Sequence, residues 1–395
     1  MTMARMTFFV AITMALGAVA CVSDPSSAQT CASMDLVRNS GKDATPALTE
    51  CIGKMAGKGA LRLSAGTYQL LTPLVIDRTV TIETASPPSG PACSRDTGAN
   101  CAVMAIGQMQ AQPTAGVMPI EVSAPDVRFR SMAIVGKGDK DAAWQRSICL
   151  DPHSRPLGGA VRVRADNFEM ANVLLKGTSC YTALEIVKGV KGVALNGNVI
   201  GPNGNHKIKD MWSDGVTVHD ATNAVIENNI FQDNTDVQLI FGGCVACRIA
   251  KNRFIHSGDV VHASFAELML HAWPDTSGNF AGSVTSGNSI DCGANRRCGY
   301  GIMIGGEPWY PSRASGGTVS GNRVNNALMG VNVDKLTGPM DIGDNIVANS
   351  GGTAKSDCGT EKWPAINISP DSQKFVLEKI AGFASIKTSR CLLNR

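Results

Sequence analysis

The stretch SDGVTVHDATNAVIENNIFQDNTDVQLIFGG, Ser213 to Gly243, carries two short phrases, DGVTVH (214–219) and DVQLIF (236–241), on either side of an Asn-centred phrase, IENNIF (226–231). In both outer phrases apolar residues alternate with variable ones, the period of a strand with one buried face. The Asn phrase recurs along the chain as MANVLL, LNGNVI, IAKNRF, TSGNSI, VSGNRV and IGDNIV, around Asn172, Asn198, Asn252, Asn288, Asn322 and Asn345. Consecutive asparagines of this series lie 23 to 36 residues apart. The shortest interval reads as one coil of a solenoid, and the excess as loops inserted on that coil. The alternating phrase recurs too, as GAVRVR, TALEIV, AELMLH, GIMIGG and MGVNVD, with no helical period between phrases. Short strands stacked at about two dozen residues per coil predict an all-β parallel β-helix. The asparagines have a physical reason to recur: Asn tolerates a left-handed turn, and its amide can bond to equivalents in the coils above and below. Seven in register separate this reading from a β-propeller or a sandwich.

Before the coils, DATPALTECIGKMAGKGALRLSAGTYQLLTPLVI predicts a helix from about Thr45 to Met55, then strands punctuated by Gly59, Gly66 and Pro73. Such a helix suits the open end of a stack, where unpaired strand edges need cover. This arrangement resembles the pectate-lyase-like superfamily of right-handed parallel β-helix proteins over nearly the whole chain after residue 28. The resemblance implies a single right-handed solenoid domain over 29–395 with an N-terminal capping helix, its cap and first strands over about 29–85, a C-terminal cap over about 353–395 and long loop insertions. It leaves the reaction open, because the superfamily includes glycoside hydrolases, lyases, epimerases and non-catalytic attachment proteins.

Composition agrees with short strands joined by turns: 42 glycines and only 5% aromatics. Arg5 precedes an uncharged apolar run from Thr7 to Ala20, which reads as an export signal too short to span a bilayer. Cleavage after Ala28 leaves an even number of cysteines, whereas lipidation of Cys21 is the alternative. Removing residues 1–28 takes out Arg5 and Asp24 and leaves the net charge at +3. A chain so near neutrality, without a basic block, argues against a nucleic-acid partner. No second apolar stretch argues for a membrane span. The remaining cysteines fall into sequential pairs, Cys31 with Cys51, Cys93 with Cys101, Cys149 with Cys180, Cys244 with Cys247, Cys292 with Cys298 and Cys358 with Cys391, each closing a loop or tying a terminus. A four-thiolate zinc site from CVAC and CGANRRC is the alternative for two of them.

The candidate chemistry lies where the repeat does not account for a residue. Asp214 opens one coil and Asp236 the next, so equal register would stack them; repelling carboxylates separate into one acid and one base, which suits glycoside hydrolysis. His219 and His271 end their phrases at the same place, two coils apart, and His206, His256 and His262 lie in the same part of the stack. Asp233, His256, Glu267 and His271 are candidate supporting or substrate-binding groups. Trp212, Trp273, Trp309 and Tyr310 sit on the longest insertions, where aromatic faces suit sugar rings, and Trp144 sits on another. Local phrases around Asp214 (WSDG), Asp236 (NTDV) and His256 (IHSG) resemble polygalacturonase-like glycoside hydrolases, without that pattern's adjacent Asp pair or its Arg-x-Lys phrase. A β-elimination lyase needs a proton acceptor and a cation beside a uronate; Lys207, Lys209, Arg296, Arg297 and Arg313 are available, and Asp214, Asp233 and Asp236 are the candidates to hold Ca2+ in that case. Otherwise no cofactor or metal is expected. The sequence thus predicts an exported, periplasmic or secreted, polysaccharide- or oligosaccharide-directed β-helix. Cleavage of glycosidic bonds is preferred by hydrolysis with Asp214, Asp236 and His219, with a lyase and a non-catalytic binding protein as alternatives.

Overall fold

The computed structural model describes residues 28–29, 31–55, 59–95, 100–107, 116–140, 142–257, 264–306, 310–356 and 359–387. The expected signal segment up to residue 27, the Cys358–Cys391 pair, His262 and Trp309 lie outside them.

The chain winds a right-handed parallel β-helix with three strands per coil, in sheets of eleven, ten and ten strands. The alternating phrases all fall in one ten-stranded sheet, which includes Tyr181–Ile186, Ser213–Val218, Val237–Phe241, Ser264–Leu270, Cys298–Ile304 and Met329–Val333. Each Asn phrase supplies the corner between the other two sheets; Val225–Glu227 and Ile230–Gln232 flank Asn229. Sequence reading merged these two short strands into one phrase.

Inward side chains stack by type. Leu195, Ile226 and Ile249 are level across three coils, as are Phe231 and Phe254, whose rings stack at 4.9 Å. All five are buried, each stabilising by about 1.5–3 kcal/mol on removal from water.

The asparagine ladder has six members, not seven. From Asn198 through Asn229, Asn252, Asn288 and Asn322 to Asn345, each of the first five passes an amide N–H to the Oδ1 of the next at 2.8–3.0 Å. The left-handed conformation belongs to the preceding residue: Gly197, Asn228, Lys251, Gly287, Gly321 and Asp344 have φ between 51° and 68°. Asn172 (φ 55°) sits at that preceding position, level with Gly197, because Leu174 pairs with Val199; Val173 takes the ladder place. The two properties that make Asn suit this corner are therefore divided between adjacent residues.

The N-terminal helix spans Thr45–Lys54, has Pro46 in its first turn and buries Leu48, Cys51 and Ile52. Asp43 precedes it and accepts the N–H groups of Thr45 and Leu71, both at 3.0 Å, which ties the helix start to the first coil. A short helix before it, Ala32–Val37, was not expected. Five of the anticipated disulfides are formed, Cys31–Cys51, Cys93–Cys101, Cys149–Cys180, Cys244–Cys247 and Cys292–Cys298. The last two consume the four thiols of the zinc alternative. Toward the C-terminus, Ile366–Ile368 adds the final strand of the site-bearing sheet. Just before it, an antiparallel hairpin of Gly352–Ser356 and Gly359–Trp363 projects from the stack, and its Trp363 and Ala354 pack on the outer face of that sheet.

Candidate active site

In the site-bearing sheet the outward residues come three apart, not two. Gly215 faces inward, where an added Cβ would meet the Gln238 carbonyl at 2.4 Å, so Asp214 and Thr217 share the outer surface. The Thr217 hydroxyl donates to Asp214 Oδ2 (2.9 Å) and lies 3.0 Å from the Thr182 hydroxyl. The Val237 N–H, one coil on, donates to Asp214 Oδ1 (3.0 Å).

These residues floor a pocket of about 340 Å³ lined also by Arg155, Tyr181, His219, Ile240, His271, Trp273 and Tyr310. The expected equal register of Asp214 and Asp236 is corrected by one residue. Val216 pairs with Leu239, which sets Asp214 level with Val237, while the Asp236 N–H bonds to the Ser213 carbonyl (3.2 Å). Asp236 is not among the residues lining the pocket, but its side chain still acts on Asp214. Burial first, and that neighbouring carboxylate second, push the Asp214 carboxyl up to about 7.

His219 and His271 do occupy equivalent positions on coils two apart, because Val218, Phe241 and Leu270 are level. Gly242 stands between them, its backbone pressed so close to the His219 carbonyl (2.5 Å from an ideal Cβ) that no side chain fits. The two rings have different partners. His219 Nε2 lies 2.9 Å from Glu185 Oε1. Burial alone would raise Glu185, but hydrogen bonds from His219, Arg162 and Tyr181 hold it down at about 2. An ionised carboxylate only accepts, so the His219 ring donates to it from Nε2. His271 Nδ1 faces the Gly305 carbonyl at 3.3 Å, and burial pushes the imidazole down to about 4, which keeps it neutral. Trp273 meets the His219 ring edge-on at 5.1 Å.

Glu185, Tyr181, Arg155, Thr182, Thr217 and Ile240 were not anticipated in the site. Glu185 ends a charge ladder, since Glu121, Arg162 and Glu185 are level on successive coils and paired through Arg162. Its signal is legible: IEV, VRV and LEI each set a charge between aliphatic residues at the same strand position. Tyr181 holds φ 75°, with its N–H on the Trp212 carbonyl (2.9 Å) and its hydroxyl donating to Glu185 (2.8 Å). The Arg155 guanidinium lies 5.4 Å from the centre of its ring.

Other candidates lie elsewhere. Asp233 and His256 are level one coil apart, and the His256 ring bridges Asp233 Oδ1 (3.3 Å) and Glu267 Oε1 (2.9 Å). All three side chains are buried, with no more than 3% of each exposed, and none lines the pocket. Burial alone would lower His256, but Glu267 and Asp233 outweigh it and raise the ring to about 10, an imidazolium. Two Ser257 N–H contacts also hold Asp233, at 3.0 and 3.2 Å, so this carboxylate is not presented together with Asp214. Arg296 spends its guanidinium on the carbonyls of Ala327 and Gly351, both at 2.6 Å. Trp212 contributes a main-chain carbonyl, whereas Trp273 and Tyr310 line the pocket. Among the described residues no group of three or more His, Cys, Asp or Glu side chains is placed to hold a metal ion.

No protein-family model and no curated protein matches this sequence. Solved structures do. A polygalacturonase from Erwinia carotovora ssp. carotovora is 12% identical with a TM-score of 0.56, covering 88% of this chain and 94% of its own. The surface adhesin PfbA of Streptococcus pneumoniae is 13% identical with a TM-score of 0.51 over 85% of this chain and 94% of its own. An alginate lyase from Paenibacillus sp. str. FPU-7 is 12% identical with a TM-score of 0.50 over 76% and 92%. At such identities these likenesses establish the fold, a right-handed parallel β-helix, and the pocket chemistry has to speak for the reaction.

Proposed function

We propose that this chain is an exported glycoside hydrolase that cleaves glycosidic bonds of a polysaccharide or an oligosaccharide derived from one. The observation that carries the reading is Asp214: a carboxylic acid on the floor of a pocket, desolvated beside a second carboxylate and so protonated near neutral pH. In this reading Asp214 gives its proton to the leaving glycosidic oxygen while Asp236, the carboxylate beside it, serves as base toward water or as nucleophile toward the sugar carbon. His219, oriented by its Nε2 hydrogen bond to Glu185, offers its other ring nitrogen to a sugar hydroxyl. Trp273 and Tyr310 offer ring faces to the C–H faces of the sugar. Two structural neighbours bear the names of enzymes of polysaccharides, which supports a carbohydrate partner. Five disulfides support an oxidising, periplasmic or extracellular location.

One observation favours a second reading. Arg155, Tyr181 and His219 line the same pocket, and a β-elimination lyase needs a cation and a proton acceptor beside a uronate, with Ca2+ as an optional helper. Products separate the two. Incubation with neutral and acidic polysaccharides is expected to release reducing ends without the ultraviolet absorbance of an unsaturated uronate, and to stop in Asp214→Asn. That absorbance would establish the lyase. Neither product would favour a binding protein, the role named for the adhesin neighbour.

A further inference from the structure

A solenoid that grips the interior of a long polymer needs an outer groove open at both ends. The outward column of the site-bearing sheet runs Glu121, Arg162, Glu185, Thr217, Ile240, Met269, Met303, Asn332, as the strand registers define it. All of these except Thr217 are no more than 6% exposed, although they point away from the core of the coil. The face is therefore covered on both sides of the pocket, and by different means.

On the N-terminal side the cover is polar. Arg162 donates to the Gly116 carbonyl, the Met118 N–H donates to Glu121 Oε1 (2.7 Å), and the turn at Arg155–Gly158 is clamped against Tyr181–Ile186 through Cys149–Cys180. On the C-terminal side it is apolar. Val237, Ile240, Phe265, Ala266, Met269, Tyr300, Met303 and Met329 form a cluster separate from the interior core, sealed by Trp363 and Ala354 of the hairpin. Trp273 packs against that cluster and also lines the pocket, so it is the partition between the two. What stays open draws its lining from four successive coils, three spacings or about 14 Å at roughly 4.8 Å per coil. Its 340 Å³ sits at the small end of the roughly 300–1,000 Å³ usual for ligand pockets.

Resting on the hydrolase reading of this pocket, we infer that the site takes a chain end or a free short oligosaccharide rather than the interior of a polymer, and that the hairpin of Gly352–Ser356 and Gly359–Trp363, through Trp363 and Ala354, is the element that imposes this. A polymer interior would have to leave the pocket on both sides, and one exit is filled by Trp363 and the methionines beneath it.

The test follows products and binding together. Polygalacturonan and alginate, with their disaccharides through hexasaccharides, are incubated with the wild-type chain, and products are resolved by size while viscosity is followed. The inference expects mono- or disaccharide from the first minutes with viscosity nearly constant. An early ladder of intermediate sizes with a steep viscosity loss overturns it and leaves the hydrolase reading intact. In Asp214→Asn, the trisaccharide and hexasaccharide are expected to bind within about threefold of each other; affinity that climbs with each added ring overturns the closed pocket. Trp363→Ala, and separately a hairpin shortened to a two-glycine link, are expected to shift products toward internal cuts, and unchanged products in a variant with intact circular dichroism remove the hairpin from the explanation. No product and no binding with any of these sugars overturns both the hydrolase reading and the inference, an outcome distinct from internal cutting.

Discussion

Two clusters of carboxylate and histidine lie on neighbouring coils, and the same residue types end in opposite states. Around Asp214 a carboxyl faces another carboxyl and a pocket, so burial and repulsion together hold a proton on it at about 7. Around His256 two carboxylates flank one imidazole away from the lining of that pocket, and the ring is held charged, up to about 10. Burial is common to both; what differs is the sign of the nearest charge. Position in the stack thus decides between a group ready to transfer a proton and a charge-paired staple.

The comparison breaks most sharply at Asp214. Asp214→Asn is expected to lower the rate of reducing-end release by about 10²–10⁴, the usual worth of a positioned general acid, with the circular dichroism spectrum preserved. The staple should answer to the opposite assay. His256→Ala leaves two buried carboxylates facing each other and is expected to cost about 3–5 kcal/mol in urea denaturation, while the folded fraction keeps its substrate affinity. Stability against pH sharpens the contrast further. A carboxyl whose folded pKa lies above its unfolded value contributes stability that is lost as pH rises, here between about 4 and about 7, so Asp214→Asn should be more stable than wild type at pH 8 by about 1–3 kcal/mol and equal to it at acid pH. The His256 contribution, also from a raised pKa, is instead full below about 6.5 and fades as pH climbs toward about 10. The smallest effect tests the scaffold beside both. Asn252→Ala removes a rung bonded on both sides and is expected to cost about 1–3 kcal/mol, more than Asn172→Ala at its corner.

The coil was legible because a solenoid repeats its physics: the same corner needs the same amide, and the same inward face the same aliphatics. Register was legible only to within a residue. Gly197 and Asn172 both tolerate a left-handed turn, so the sequence alone could not tell a turn residue from a rung, and the Asp214 to Asp236 spacing hid a one-residue offset for the same reason. In the site, Asp214, His219, His271, Trp273 and Tyr310 stood out as residues the repeat did not need. Glu185 was hidden inside an apolar phrase, although its partners Glu121 and Arg162 repeat the pattern. Asp233, His256 and Glu267 looked like site residues because sequence shows charge without showing cover. The hairpin that seals the groove was unreadable for a related reason: KSDCGTEKW is polar and turn-rich, and only Trp363 hints that it lies on an apolar face.

The proposed chemistry turns on one proton at Asp214. Carbon-13 NMR of protein labelled at the aspartate carboxyl carbons, with Asp214 assigned by its absence in Asp214→Asn, follows that proton directly. The expected titration midpoint is about 7, moving down in Asp236→Asn as the repelling neighbour is removed. A midpoint near the ordinary aspartate value of about 4, unmoved by Asp236→Asn, would contradict the acid assigned to this pocket.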